Sequence, residues 1–123
     1  MADEQSPARK AYADVSPALA DLSDRVLFGE VWERPGLSKR DRSLITVAGL
    51  VALYRTNELP GHVKRALANG VRREELVELV THLAFYGGWP VANSAIPILR
   101  KAFAETDAAS AHEAGDPHRK KES

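Results

Sequence analysis

The stretch Arg42–Arg55, RSLITVAGLVALYR, decides how this chain reads. Leu44, Ile45, Val47, Ala48, Leu50, Val51, Leu53 and Tyr54 fall at intervals that would cover most of a helix circumference. A helix that is apolar nearly all round belongs at the centre of a core or in a subunit interface. The β-branched residues also permit a strand. Against that, Ser38 stands where an N-cap is needed, Asp41 follows three residues later in the manner of a capping box, and the run is long for a strand. The stretch therefore predicts a helix.

Working outward, the neighbouring signals are helical too. Ser16-Pro17 offers an N-cap with proline in the first turn, and Leu19, Leu22, Val26 and Leu27 then recur on one face. Phe28-Gly29 and Arg34-Pro35-Gly36 are expected to interrupt it, leaving GEVWER (Gly29–Arg34) as a helical turn or a loop. On the other side, Asn57-Glu58-Leu59-Pro60 opens a helix that Gly70 ends. Arg73-Glu74-Glu75 opens the next, with acid at its positive end, and Tyr86-Gly87-Gly88 closes it. Trp89-Pro90 starts the last, with Pro97 as a possible kink. The expected fold class is all-α, a compact helical bundle of about five to six helices. Its domain would span residues 15–105, between flexible tails at 1–14 and 106–123. His112 and His118 fall in the second tail, where a specific role is not expected.

Composition narrows the function. The chain has 123 residues, enough for one domain with its own core. Lys+Arg and Asp+Glu both number 17, so the net charge is zero and a general nucleic-acid binder is not expected. With no cysteine there is no disulfide, thiolate–metal site or thiol nucleophile. The N-terminus MADEQSPARKAY is too polar for a signal peptide, and no apolar run reaches the roughly 20 residues of a membrane span. The expected location is the cytoplasm.

Few side chains can carry chemistry. Glu58 and His62 are four apart on one helix face. A carboxylate there can orient the imidazole and raise its pKa, making a general acid, or the pair can be a solvated helix cap. His82 and Tyr86 repeat the spacing on the following helix, where His82 is expected to be at least half-buried, as a catalyst or as a core histidine. Glu58, His62 and His82 are possible metal ligands by type, but no standard metal spacing is present, and no metal is expected. Arg42 enters the apolar helix and needs either an acid, such as Glu30 or Glu58, or an anionic ligand. Trp32 and Trp89 flank Gly- and Pro-containing loops, as pocket walls or ordinary core. The joint Tyr86–Pro90 is a plausible pocket rim.

From Gly29 to Phe103 the chain resembles the carboxymuconolactone decarboxylase family, most of all its gamma-carboxymuconolactone decarboxylase branch. The resemblance is carried by G-x-x-W at Gly29–Trp32, G-L-S-x-x-x-R-S-L at Gly36–Leu44, N-E-L-x-x-H at Asn57–His62, A-x-x-N-G-V at Ala66–Val71 and H-x-x-x-Y-x-G-x-P-x-A-N at His82–Asn93. It implies an AhpD-like helical fold, a homo-oligomer (trimer or hexamer), and no organic cofactor or metal. It implies a decarboxylase of a small carboxylated lactone, with Glu58, His62 and His82 catalytic and Arg42, Tyr86, Trp89 and Trp32 binding substrate. Pro60-Gly61 depart from the bulkier helix formers common before the histidine. The peroxidase branch needs a cysteine pair, so thiol peroxidase activity is chemically unavailable here. Alternatives are another acid–base reaction on a lactone or keto acid, or a non-catalytic oligomeric binding module.

Overall fold

Helix starts in this protein follow the side chains that satisfy first-turn N–H groups. The computed structural model describes residues 6–114. Ser6 Oγ accepts from Arg9 N and opens α1 (Pro7–Tyr12). Ser16 Oγ accepts from Leu19 N and opens α2 (Pro17–Leu22), which continues into a π-helical segment, Ser23–Val31. Ser38 Oγ accepts from Asp41 N ahead of α3 (Lys39–Ala52). Glu58 caps α4 (Leu59–Ala68) by position only, without a side-chain bond. Arg72 N donates to Glu75 Oε1 at 2.9 Å and opens α5 (Arg73–Leu83), and α6 (Trp89–Ala114) runs through Pro97. Among the described residues every regular element is helical, as the all-α expectation requires.

The chain divides into two compact units, Met1–Arg42 and Ser43–Ser123. In the first, Asp24 ties the helices together: it accepts from Ser6 Oγ at 2.9 Å and pairs with Arg9 at 3.4 Å. Trp32, only 8% exposed, stacks on Phe28 with ring centroids 5.7 Å apart. In the second, Val47 and Val51 of α3, Leu59 and Val63 of α4, Leu76 and Val80 of α5, and Ala95, Leu99 and Ala102 of α6 form one buried cluster. Each fully buried Leu or Val contributes about 1.5–3 kcal/mol. Ser43 is the polar group of this core, and its Oγ accepts from Asn69 Nδ2 at 2.9 Å, which fixes the end of α4 against α3.

Three sequence expectations change. Phe28-Gly29 does not interrupt the helix, because the wider π turn carries the backbone through both residues. The N-terminal segment expected as a tail holds α1, because Ser6 and Pro7 supply a start signal. Residues 106–114 continue α6: the alanine-rich run suits a helix, and Arg73 Nη1 bonds Asp107 at 3.2 Å while its guanidinium lies over the Phe103 ring. Residues 1–5 and 115–123, with His118, lie outside the described residues, as does the side chain of His112. The apolar helix α3 buries Ser43, Val47 and Val51 and packs Leu44 and Leu50 against the core cluster, while Ile45, Leu53 and Tyr54 are exposed. A cylinder packed by neighbours on one side leaves its other apolar side open.

Candidate active site

The α4 helix carries the first group of candidate residues. Glu58, His62 and Arg65 stand at steps of four and three, so one helix face presents a carboxylate, an imidazole and a guanidinium in a row. Glu58 is exposed and His62 half-buried. The His62 pKa lies below its ordinary 6.5: burial is the main cause, the positive charge of Arg65 adds to it, and Glu58 opposes both. Glu58 does raise it, as expected, but the net shift is downward and the general-acid expectation is corrected, because desolvation of the imidazolium and a nearby cation outweigh one exposed carboxylate. His62 is therefore neutral at physiological pH, a hydrogen-bond donor or base rather than a ready acid. Arg65 is held below the usual arginine range by its own burial. Sequence reading passed over Arg65, although its spacing of three from His62 was the available signal.

The second group surrounds the joint between α5 and α6. The rings of His82 and Tyr86 meet at a tilt with centroids 4.8 Å apart, and Phe85 meets Trp89 edge-on at 5.4 Å. His82 is exposed, not half-buried as expected, because it lies on the outward side of α5, away from Leu76 and Val80. Tyr86 is 77% and Trp89 59% exposed, so this joint presents its rings outward. Gly88, with φ 101, makes the turn that sends the chain into α6. His82 also borders a groove of about 500 Å³ between α3 and α5, walled by Leu44, Ile45, Ala48 and Leu79, with Glu75 and Glu78 at its edge.

The remaining two candidates belong to the first unit. Arg42 is half-buried, and its Nη2 donates to the Arg34 carbonyl at 3.0 Å. Trp32 is core, stacked on Phe28, and offers little surface to a ligand. Among the described residues no three His, Asp or Glu side chains lie close enough to share a metal ion, so Glu58, His62 and His82 are not gathered as a ligand set within the chain. No helix of the described residues is long and apolar enough to cross a membrane.

Comparison with known proteins supplies the family. A model described as "Carboxymuconolactone decarboxylase family" matches residues 17–101. The chain is 40% identical over 90 residues to 4-carboxymuconolactone decarboxylase of Acinetobacter baylyi, covering 73% of this chain and 67% of that protein. It is 38% identical over 74 residues to nitrosuccinic acid decarboxylase npaB of Metarhizium robertsii, covering 60% of this chain and 52% of that protein. It is 30% identical over 82 residues to an uncharacterized 15.0 kDa protein of Paracoccus denitrificans, covering 65% of this chain and 61% of that protein. The matched region takes in both candidate groups, α4 and the α5–α6 joint, and the chain belongs to the carboxymuconolactone decarboxylase family.

Proposed function

We infer that the chain is a carboxy-lyase, as its two named relatives are, and that it removes carbon dioxide from a small carboxylated lactone of the 4-carboxymuconolactone type without an organic cofactor. The observation that carries the chemical reading is the neutral, half-buried His62 between Glu58 and Arg65. In such a lactone the departing carboxylate sits gamma to a conjugated carbonyl, so the substrate is its own electron sink. The electron pair of the breaking C–C bond moves into the ring, carbon dioxide leaves, and a dienolate remains. A proton then adds to the alpha carbon to give the product lactone. The site needs a hydrogen-bond donor for the developing oxyanion and a proton carrier.

His62 is suited to the first role. A neutral imidazole N–H stabilises an enolate oxygen, and the same environment that lowers its pKa keeps it in that form. Glu58 orients it, and Arg65 attracts the substrate's carboxylate. His82, accessible and in tilted ring contact with Tyr86, is the proton carrier in this reading, with Trp89 and Tyr86 shaping the pocket. Arg42 remains a candidate for a second carboxylate. We further propose a homo-oligomer, trimer or hexamer, in which another copy covers the exposed apolar side of α3 and the aromatic joint.

The name of the second relative supports an alternative substrate, an aliphatic diacid whose nitro group is the electron sink. Incubating the protein with 4-carboxymuconolactone and, separately, with nitrosuccinate, while following carbon dioxide release, distinguishes the two. Release from neither acid above the uncatalysed rate refutes the decarboxylase reading.

A further inference from the structure

The ends of α3 and α4 are built alike, with one difference. At the end of α4, Val71 N donates to Ala66 O at 2.9 Å and Gly70 N to Leu67 O at 3.2 Å. At the end of α3, Arg55 N donates to Leu50 O at 2.8 Å and Tyr54 N to Val51 O at 3.1 Å. This pair of bonds requires a left-handed residue at the turn, a position where glycine or asparagine is normal. Gly70 fills it at α4 with φ 99, whereas α3 uses Tyr54 with φ 60, the one non-glycine residue with positive φ among those described. A bulky side chain in that region is strained, and such strain persists where surroundings or function demand it.

Packing does not account for the choice. Tyr54 is 57% exposed, so most of its ring is in water. Its hydroxyl, however, is oriented: Ser94 Oγ of α6 donates to it at 3.3 Å, which leaves the phenol proton available to donate outward. A methyl group placed on Gly87 would lie 3.5 Å from Ala52 Cα, so the end of α3 abuts the joint that carries Tyr86 and Trp89. Along the chain, Tyr54 leads into Glu58 and α4, and Leu59 N donates to Arg55 O at 3.2 Å. The strained tyrosine thus closes the helix end that abuts the α5–α6 joint and precedes Glu58 and α4 along the chain.

We propose that Tyr54 contacts the substrate: the α3 cap holds it in the left-handed region so that its phenol, oriented by Ser94, donates a hydrogen bond to an anionic oxygen of a small carboxylated ligand. The proposal deepens the decarboxylase reading and rests on it for the identity of the ligand. Two substitutions separate strain from contact. Tyr54→Asn keeps a residue that tolerates the left-handed region and removes the phenol. Tyr54→Phe keeps the strain and removes only the hydroxyl.

The experiment measures thermal melting, KM and kcat for 4-carboxymuconolactone, and calorimetric affinity for muconate, a linear dicarboxylate probe. Tyr54→Asn is expected to melt at or above the parent, and Tyr54→Phe at the parent temperature. Both should raise KM about tenfold and weaken muconate by a similar factor, with a smaller change in kcat, as loss of a hydrogen bond to a charged group implies. Unchanged KM and muconate affinity in both variants would overturn the proposal, as would a Tyr54→Asn protein that melts well below the parent, since the ring's role would then be packing. A parent that turns over no substrate refutes the decarboxylase reading alone. The muconate affinities of parent and Tyr54→Phe then decide the case of Tyr54, and a parent that does not bind muconate counts against it.

Discussion

Gly87→Ala tests how tightly the α5–α6 joint is packed against the start of α6. The residue's φ lies outside the left-handed region, so alanine is compatible with the backbone. The added methyl would lie 3.1 Å from Val91 Cγ2, 3.4 Å from Leu83 O and 3.5 Å from Ala52 Cα. The first contact decides the sign. Val91 is β-branched and helical, so one χ1 rotamer dominates and its methyl cannot swing aside. The methyl must push Val91, and with it the start of α6, away by a few tenths of an ångström. Overpacking of this kind costs about 1–3 kcal/mol, while replacing glycine by alanine recovers about 0.4–1 kcal/mol from the unfolded chain. The net is a loss of about 1 kcal/mol, or roughly 3–4 °C in melting temperature for a chain of this size. Turnover should fall further than stability, by about tenfold or more, because small displacements of substrate-positioning groups are costly and Tyr86 and Trp89 flank Gly87. Thermal denaturation and steady-state kinetics on the same preparation check both. A variant that melts at or above the parent with full turnover would refute the packing argument.

His62→Gln should lower turnover by about 10²-fold or more while leaving the melting temperature at neutral pH nearly unchanged, read by kinetics and calorimetry together. Glu58→Gln should move the acidic limb of the rate profile to lower pH, since it removes the one charge that raises the His62 pKa; a shift to higher pH would reverse the assigned electrostatics. The lowered His62 pKa also makes stability depend on pH. Below 6.5 the unfolded chain binds the proton first, so the contribution is present in full above 6.5 and is lost as pH falls through the folded value. Melting curves of the parent between about pH 7 and about pH 5 should therefore fall more steeply than those of His62→Gln. Ser43→Ala should cost about 1–3 kcal/mol by leaving the Asn69 amide without its buried acceptor, and urea denaturation would show it as a lower midpoint at unchanged slope.

Much of this protein is local chemistry that a linear reading reaches. Ser16, Ser38 and Pro60 mark helix starts, Gly70 and Gly88 mark turns, and the apolar spacing from Leu76 to Leu83 marks a buried face. These signals act within a few residues of themselves, so element type and order were legible, as were the motifs that identify the family. Tertiary structure decided what depends on neighbours distant in sequence. His82 lies outside the core because of which face of α5 meets α6, and periodicity alone did not orient that face. His62 is neutral because burial and Arg65 outweigh Glu58, a balance that spacing cannot weigh. Trp32 became core and Arg42 bonded a carbonyl because the turns around them, including an unforeseen π-helical segment, set their partners. The left-handed backbone of Tyr54 is the clearest case. Its sequence signal is that of another apolar residue at the end of a helix, and only the closure of that helix against α6 makes it a strained, oriented phenol.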